Sequence, residues 1–477
     1  MKGISLNIGR TFFVAMFFVL ATGVSAQSLR TGFLMDAGTY RFRLNPAYQN
    51  KAGHVAIPML GNVSVNMFGN VGVGNFIYDS PVNSDELVTF MHSSVDANEF
   101  LGDLESENVM RADFDFTVAS VAFKAFGGFN TIDVSLRSNM GISAPYDLFR
   151  FMKQAGNDSY SFDDTKMISR NFVDVSIGHS RKIGENLTVG ARAKFLFGLA
   201  YANVEFDNMN IVTSDSRWEI AAKGEAEIAC GGNWEYSDEK TISGKTVVDG
   251  YDDASAGMNG FGIGVDLGAT YDFSDIGLTV SASVTDLGYI SWSNAARAGI
   301  SPEDRYVFEG FKNSEKFNDM AIHRPADGSQ SATLDDQWSG LRDDLEDFFA
   351  LEDKGEGSVS SGIGAKLNLA ADYTLPFYKK MSAGVIYTHC FDDVYSYNLA
   401  SLVLNYTPNS VFDFAVSGSV SDFGAGFGAM ANMHFPGFNF FVGTDCFLNK
   451  VNKQYLPIED MNANVSFGVN ILLGKAR

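Results

Sequence analysis

Beyond residue 26, this 477-residue sequence contains no apolar run able to cross a membrane as a helix, which takes roughly 18 or more residues. Its three cysteines, Cys230, Cys390 and Cys446, are odd in number and far apart. They make neither a disulfide framework nor a zinc pattern, so buried or lipid-facing packing is expected of each. The six histidines are scattered, and the chain has neither a G-x-S-x-G elbow nor an H-E-x-x-H pair. Neither an enzyme nor a metal or cofactor site is therefore expected. Acidic pairs such as Asp252 with Asp253 and Asp343 with Asp344 read as solvated loop charge, and no loop has the ligand spacing of an EF-hand. Basic residues are in deficit, 35 against 57 acidic, for a net charge of -22. A nucleic-acid partner wants a basic face and is excluded on that ground.

What is present begins with an export signal. Lys2 and Arg10 give a positive start, residues 11–21 form a compact apolar core, and Val24, Ser25 and Ala26 are small residues before a cut at 26/27. An uncleaved anchor is the alternative, and the shortness of the apolar run disfavours it. An exported chain that enters a membrane without helices must do so as a closed barrel, the other architecture that satisfies every backbone group.

Residues 261–287 carry the pattern most fully. Phe261, Ile263, Val265, Leu267, Ala269, Tyr271 and Phe273 alternate with Gly262, Gly264, Asp266, Gly268, Thr270 and Asp272, and a return strand alternates after a short turn at 274–276. One apolar and one small polar face, over about the 9–11 residues a tilted strand needs, fit a wall between lipid and lumen. The same alternation recurs along the chain and gives about fourteen strands. Connections near 127–128, 182–186, 274–276, 374–380, 408–410 and 435–437 are short, whereas those at 69–112, 141–171, 199–260 and 288–360 are long. An antiparallel barrel with short periplasmic turns and long outer loops has this asymmetry, with both termini expected on the periplasmic side. Residues 204–228 also alternate, which leaves sixteen strands as the alternative. The charged face of Arg217, Glu219, Lys223, Glu225 and Glu227 favours a hairpin raised above the membrane. Aromatics crowd the short-turn ends (Phe126 and Phe129; Tyr271 and Phe273; Tyr373, Phe377 and Tyr378; Tyr406 and Phe412; Phe435 and Phe438), as an interfacial girdle would.

Residues 27–54 do not alternate, yet hold Leu29, Phe33, Leu34, Met35, Tyr40, Phe42 and Leu44. These are too many apolar groups for a free tail. The segment is expected to fold into the lumen as a hatch, with residues 55–477 forming the barrel. Arg41 and Arg43 would meet Asp133, Asp174 or Asp266, and Pro46 would favour an extended Asn45 where the chain leaves the lumen. Lumen-facing charges are Asp133, Arg137, Asp174, Arg192, Lys194, Asp266 and Lys366, of mixed sign, and they read as a paired network rather than a selectivity ring. In the long loops, residues 333–351 read as a helix with Leu334, Trp338, Leu341, Leu345 and Phe348 on one face. Thr333 and Asp336 stand at capping-box spacing. Residues 84–91 and 146–152 are shorter helical candidates.

Asn45-Pro46-Ala47, GVDLGATYDF at 264–273 and TDLGYISW at 285–292 resemble a family of uncharacterised outer-membrane barrels from Bacteroidota, a domain of unknown function. That family is in turn similar to the long-chain fatty-acid transporter barrels. The resemblance implies an all-β, transmembrane antiparallel barrel of about fourteen strands in the outer membrane, with a hatch to which Asn45, Pro46 and Ala47 belong. The chain departs from it in ending Leu473-Gly474-Lys475-Ala476-Arg477, without a terminal aromatic. The expected partners are outer-membrane lipid and a hydrophobic or amphipathic small molecule admitted through a plugged channel. The alternative is a barrel that transports nothing and anchors or docks a protein partner, as barrels associated with type IX secretion do. An outer-membrane enzyme with its site in the long loops is a third reading.

Overall fold

A computed structural model describes residues 29–82, 86–215, 217–238, 240–241, 243–300, 305–310, 334–446 and 462–474. The signal peptide expected at 1–26 lies outside the described residues. The molecule is a closed antiparallel barrel of fourteen strands. The first wall position is split into Gly53–Ala56 and Val63–Gly69. Then follow Glu107–Ala125, Gly128–Pro145, Thr165–Ile183, Leu187–Phe206, Gly260–Phe273 and Leu278–Ile300. The eighth position combines Glu352–Gly362 with Lys366–Thr374, and the last six are Met381–Cys390, Tyr397–Tyr406, Phe412–Ser421, Gly424–Phe435, Phe438–Thr444 and Ala463–Leu473. Closure is made by the last strand against both pieces of the first, with Gly53 opposite Leu473 and Val63 opposite Phe467.

Strict alternation explains the wall. Ile177, Leu267 and Val385 are 53%, 51% and 54% exposed on its outside, while Asp174, Asp266 and Thr388 are buried on its inside. A closed barrel leaves its wall without an unpaired edge strand. The girdle residues Phe126 and Phe377 stand out at the short-turn rim, 84% and 82% exposed. Phe129 does not join them. It is buried, packed inside among the apolar side chains of residues 29–48, because it sits on the lumen face of its strand.

Residues 204–228 add no wall position, so the sixteen-strand alternative falls away. Asn210–Thr213 and Trp218–Ala221 pair with each other, and with Ser159–Ser161 and Tyr306–Phe308, in a separate four-stranded sheet. Gly224–Ala229 instead heightens the wall beyond Gly260, between Leu187–Phe206 and Leu278–Ile300. The long loops thus carry a layer with cores of its own. Helix Leu334–Phe348 brings Leu345 and Phe348 onto the cluster of Tyr160, Phe162, Ile211 and Ile220. Trp338, expected on that face, is 53% exposed instead. The capping Thr333 lies outside the described residues. Helix Tyr146–Gln154 packs Phe149 against Phe76, Phe90 and Phe100. The helix expected at 84–91 is not formed: Leu87–Thr89 is a strand paired with Ile77–Asp79.

Candidate functional site

The strands enclose a lumen, and two things meet in it: a set of charged wall side chains and residues 29–52. The charged set centres on Asp286. Arg137 forks onto it, Nη1 to Oδ1 at 2.7 Å and Nη2 to Oδ2 at 3.0 Å. Lys194 donates to Oδ1 and Lys366 to Oδ2, the latter at 3.2 Å. Asp266 accepts from Arg192 at 3.1 Å and pairs with Lys194 at 2.9 Å. Arg192 also donates to Asp133 at 2.8 Å, and Arg137 reaches Asp174 at 3.4 Å. All seven of the lumen charges named from the sequence are buried and brought together here. With Arg43 and Asp115 added, five cations face five aspartates. The set is neutral as a whole and lacks the excess of one sign that a charge-selective ring needs.

Asp286 itself escapes the alternation. Counting from Leu278, Val280, Ala282 and Val284 places it outward. A bulge between Val265 and Leu267 on the facing strand register, with Asp286 at φ 57°, turns it inward beside Thr285. Aspartate is among the few residues that tolerate this left-handed conformation, and a bulge re-aims side chains by shifting the phase. Its backbone N–H then donates to Asp266 Oδ1 at 2.7 Å. A polar pair, Thr285-Asp286, interrupting an otherwise faultless alternation was the signal that could have revealed it.

Residues 29–52 run the length of the lumen. Arg30 and Thr31 lie at the long-loop end, where their backbone N–H groups donate to Asp445 at 3.1 and 2.8 Å. Gly53 starts the wall at the short-turn end, opposite Leu473. The chain therefore enters its first strand from inside the barrel, and its first described residues sit at the opposite rim from its last, which corrects the expectation that both termini lie on the short-turn side. Along the way its side chains and carbonyls bond to much of the wall. Thr39 donates to Asn439 and Tyr40 to Asn470, each at 2.7 Å, and Ser283 donates to the Leu44 carbonyl at 2.6 Å. Phe33, Leu34, Phe42 and Tyr48 pack with wall residues Ala122, Ile386, Val403 and Phe441.

Of the five residues singled out in this segment, four touch the wall. Arg43 donates to Asp115 at 3.0 Å, Thr117 at 2.8 Å and Ser135 at 3.0 Å, and lies 3.7 Å from Asp133. Asn45 donates to the carbonyls of Ala269 and Ala282, each at 3.2 Å. Pro46 and Ala47 press so closely on Gly190 that a Cβ there would collide with their backbone, and one at Gly268 would collide with Asn45 and Pro46. Only glycine permits this approach. Arg41 is paired within its own segment, with Asp36 at 3.7 Å, and its charge also acts on the wall carboxylate Asp372 rather than on the aspartates named from the sequence. Its Nε donates to the Phe33 carbonyl at 2.7 Å and its guanidinium lies 4.2 Å over the Tyr48 ring, so it braces its own segment. Nor does the chain leave the lumen at Asn45: the Tyr48 N–H closes a turn on the Asn45 carbonyl at 3.1 Å.

Two further features had no sequence signal. Arg111 and Arg170 clasp Asp392, at 2.7 and 3.2 Å, where the wall meets the 391–396 connection. Burial pushes the Asp392 carboxyl up, but the two guanidiniums outweigh it and hold the carboxyl below the usual carboxylate range. At the long-loop end a cavity of about 70 Å³ lies among Arg30, Phe68, Tyr397, Phe423 and Asp445. Among the described residues, no group of three or more His, Cys, Asp or Glu could hold a metal ion.

The model of a family of unknown function, DUF5723, matches residues 46–445. The chain belongs to this family. No curated protein sequence matches it. The DUF5723 barrel is similar in structure to the toluene transporter TbuX of Ralstonia pickettii, at 9% identity and a TM-score of 0.41, covering 95% of this chain and 96% of that one. It is also similar to the toluene transporter TodX of Pseudomonas putida, at 9% identity and a TM-score of 0.38, covering 95% of each chain. A FadL homologue of Pseudomonas aeruginosa matches at 10% identity and a TM-score of 0.39, covering 96% of this chain and all (100%) of that one. The DUF5723 chain folds as a closed antiparallel β-barrel.

Proposed function

We propose that this barrel is a plugged outer-membrane channel for the uptake of hydrophobic or amphipathic small molecules, with residues 29–52 as its hatch. The observation that carries the reading is the nature of the hatch contacts. The segment buries an apolar side against Ala122, Ile386, Val403 and Phe441, and it is held by scattered hydrogen bonds, by the three that Asp445 accepts from Arg30 and Thr31, and by Arg43. Contacts of that kind can be exchanged one at a time, and the surface they uncover is apolar on one side. A greasy molecule that displaces the segment meets Ala122, Ile386, Val403 and Phe441 on that side of the wall. The wall network opposite is neutral, so it sets no barrier to one sign of charge.

The test is accumulation of a neutral apolar fluorophore in vesicles carrying the purified protein. The reading expects faster entry than in empty vesicles, and faster again with Arg43→Ala. Entry equal to that of empty vesicles for both proteins contradicts it.

A second reading, docking of a protein partner, is favoured by the loop layer. Its own aromatic cores and the exposed Trp338 give the outer face a folded surface. On that reading the parent protein admits nothing, while replacing loop surface residues abolishes partner capture.

A further inference from the structure

We propose that the connection 391–396 is a constriction loop folded into the long-loop mouth of the lumen, and that the clasp of Arg111 and Arg170 on Asp392 sets the width of molecule the mouth admits. That role rests on the uptake reading, whereas the position of the loop does not.

The loop joins Met381–Cys390 to Tyr397–Tyr406, and a connection between neighbouring strands has no need to leave its own side of the barrel. This one crosses the lumen. The Asp392 carboxylate, 1% exposed, meets Arg111 Nη1 at 2.7 Å and Arg170 Nη1 at 3.2 Å, and Asp393 takes Arg170 Nη2 at 3.1 Å. Those arginines stand on Glu107–Ala125 and Thr165–Ile183. Between these two strands lies Gly128–Pro145, where a Cβ on Gly141 would stand 3.0 Å from Val394 Cγ2. Val394 itself is buried, in one cluster with Phe172, Leu196, Ile290 and Trp292 from three wall strands.

The two contacts that hold the loop inside differ in kind. Burial of Val394 is undirected, whereas a carboxylate shared by two guanidiniums fixes both distance and direction. The shape of the loop is set locally. Asp392 Oδ1 accepts from the Val394 N–H at 3.0 Å, and Ser396 Oγ accepts from the Asp392 N–H at 3.2 Å. The loop is thus a formed turn whose place depends on the clasp. Each arginine also has a second acid, Asp113 at 3.4 Å from Arg111 and Asp393 beside Arg170, so loss of the Asp392 charge leaves neither bare.

The rest of the mouth belongs to the hatch. Arg30 and Thr31 are held by Asp445, just past Phe438–Thr444, and the cavity of about 70 Å³ lies there. A molecule that parts the hatch end enters on that side, with the loop as the far edge of its opening. Tyr395 marks the edge, its ring 5.5 Å from that of Phe423. An opening edged by rings, with a strapped loop on one side, passes thin apolar molecules in preference to wide ones.

The test uses the full-length mature protein in detergent and in vesicles. Cys390, at the base of the loop, is buried and reports the loop's position. Its modification by a fluorescein maleimide, mapped by peptide mass, should be very slow in the parent. Asp392→Asn keeps the turn acceptor and removes the charge. It should speed the modification about 10- to 100-fold, the range expected when hydrogen bonds to a charged group are weakened. With Cys390→Ser, the pair Gly141→Cys and Val394→Cys should cross-link on mild oxidation, because their Cβ positions lie 3.4 Å apart. In vesicles, the ratio of perylene entry to naphthalene entry should rise with Asp392→Asn. Absence of the cross-link in a folded barrel, or Cys390 modified as fast in the parent as in Asp392→Asn, overturns the proposal. The cross-link and the parent rate decide the loop's position even if Asp392→Asn fails to fold. Cross-linking and faster modification without entry of either dye keep the loop and remove transport. Entry of both dyes in an unchanged ratio keeps transport and removes the loop's hold on width.

Discussion

The two halves of the barrel wall are built differently. From Glu107–Ala125 to Leu278–Ile300 the strands are 19, 18, 19, 20, 14 and 23 residues long, and they carry nearly all of the lumen charge. From Met381–Cys390 to Ala463–Leu473 they are 10, 10, 10, 12, 7 and 11 residues long. Their inner faces bear Ser401, Asn405, Asn439 and Asn470, with Asp413 beside His434 at the short-turn end. The tall half holds Arg43 through ions and Asn45 through carbonyls. The short half holds Thr39 and Tyr40 through neutral side chains. A buried network of opposite charges is costly to disturb one member at a time, whereas a neutral hydrogen bond nets about 1 kcal/mol. The comparison teaches that residues 29–52 are tied to the tall half by buried ions and to the short half by neutral side chains and Asp445; on the proposed hatch reading, the short half is the side from which they part.

The largest effect should come from the centre of the tall half. Asp286→Ala leaves Arg137, Lys194 and Lys366 facing one another and should cost about 3–5 kcal/mol in urea unfolding followed by heat-modifiable migration. A loss below about 1 kcal/mol, the net worth of one neutral hydrogen bond, would break the comparison. Outside the same half, Leu267→Arg puts a charge toward lipid and should cost about 2–4 kcal/mol if it lies near the midplane. Unimpaired insertion would show the inside and outside faces to be exchanged.

Glycines sharpen the contrast at smaller scale. Gly190→Ala drives a methyl into Pro46 and should destabilise by about 1–3 kcal/mol, the usual cost of overpacking. Gly418→Ala in the short half meets only Phe427 at 3.8 Å and should fall well below that. Unfolding midpoints in the wrong order would refute the close approach. Asp392 gives a pH dependence. Its carboxyl is held below its unfolded value, so its contribution is full above about pH 4, the ordinary carboxylate range, and is lost as pH falls through the lower folded value. Asp392→Asn should flatten the acid limb of the stability profile, and an unchanged limb would remove the clasp as its cause. Smallest of all, Thr39→Val should cost about 1 kcal/mol.

The wall was legible in the sequence because a strand repeats every two residues. Val265, Asp266 and Leu267 declare their faces by position alone, and the seven lumen charges follow from that phase. Asp286 was not legible, because a bulge shifts the phase by one and leaves only the Thr285-Asp286 pair as its trace. Residues 29–52 have no period, so nothing local distinguishes Arg43, which reaches Asp115, from Arg41, which braces Phe33. The loop sheet draws Ser159–Ser161, Asn210–Thr213, Trp218–Ala221 and Tyr306–Phe308 from distant parts of the chain. Strands that short have too few residues to set a pattern. Arg30 and its cavity depend on where the threaded segment ends, which periodicity cannot locate.

The central claim is that residues 29–52 close the lumen. Single-channel conductance in planar bilayers tests it most directly, comparing the parent barrel with one lacking residues 28–45. The account predicts a nearly silent parent and a variant that inserts, migrates as a folded barrel and conducts in large steps. A folded variant as silent as its parent would contradict it.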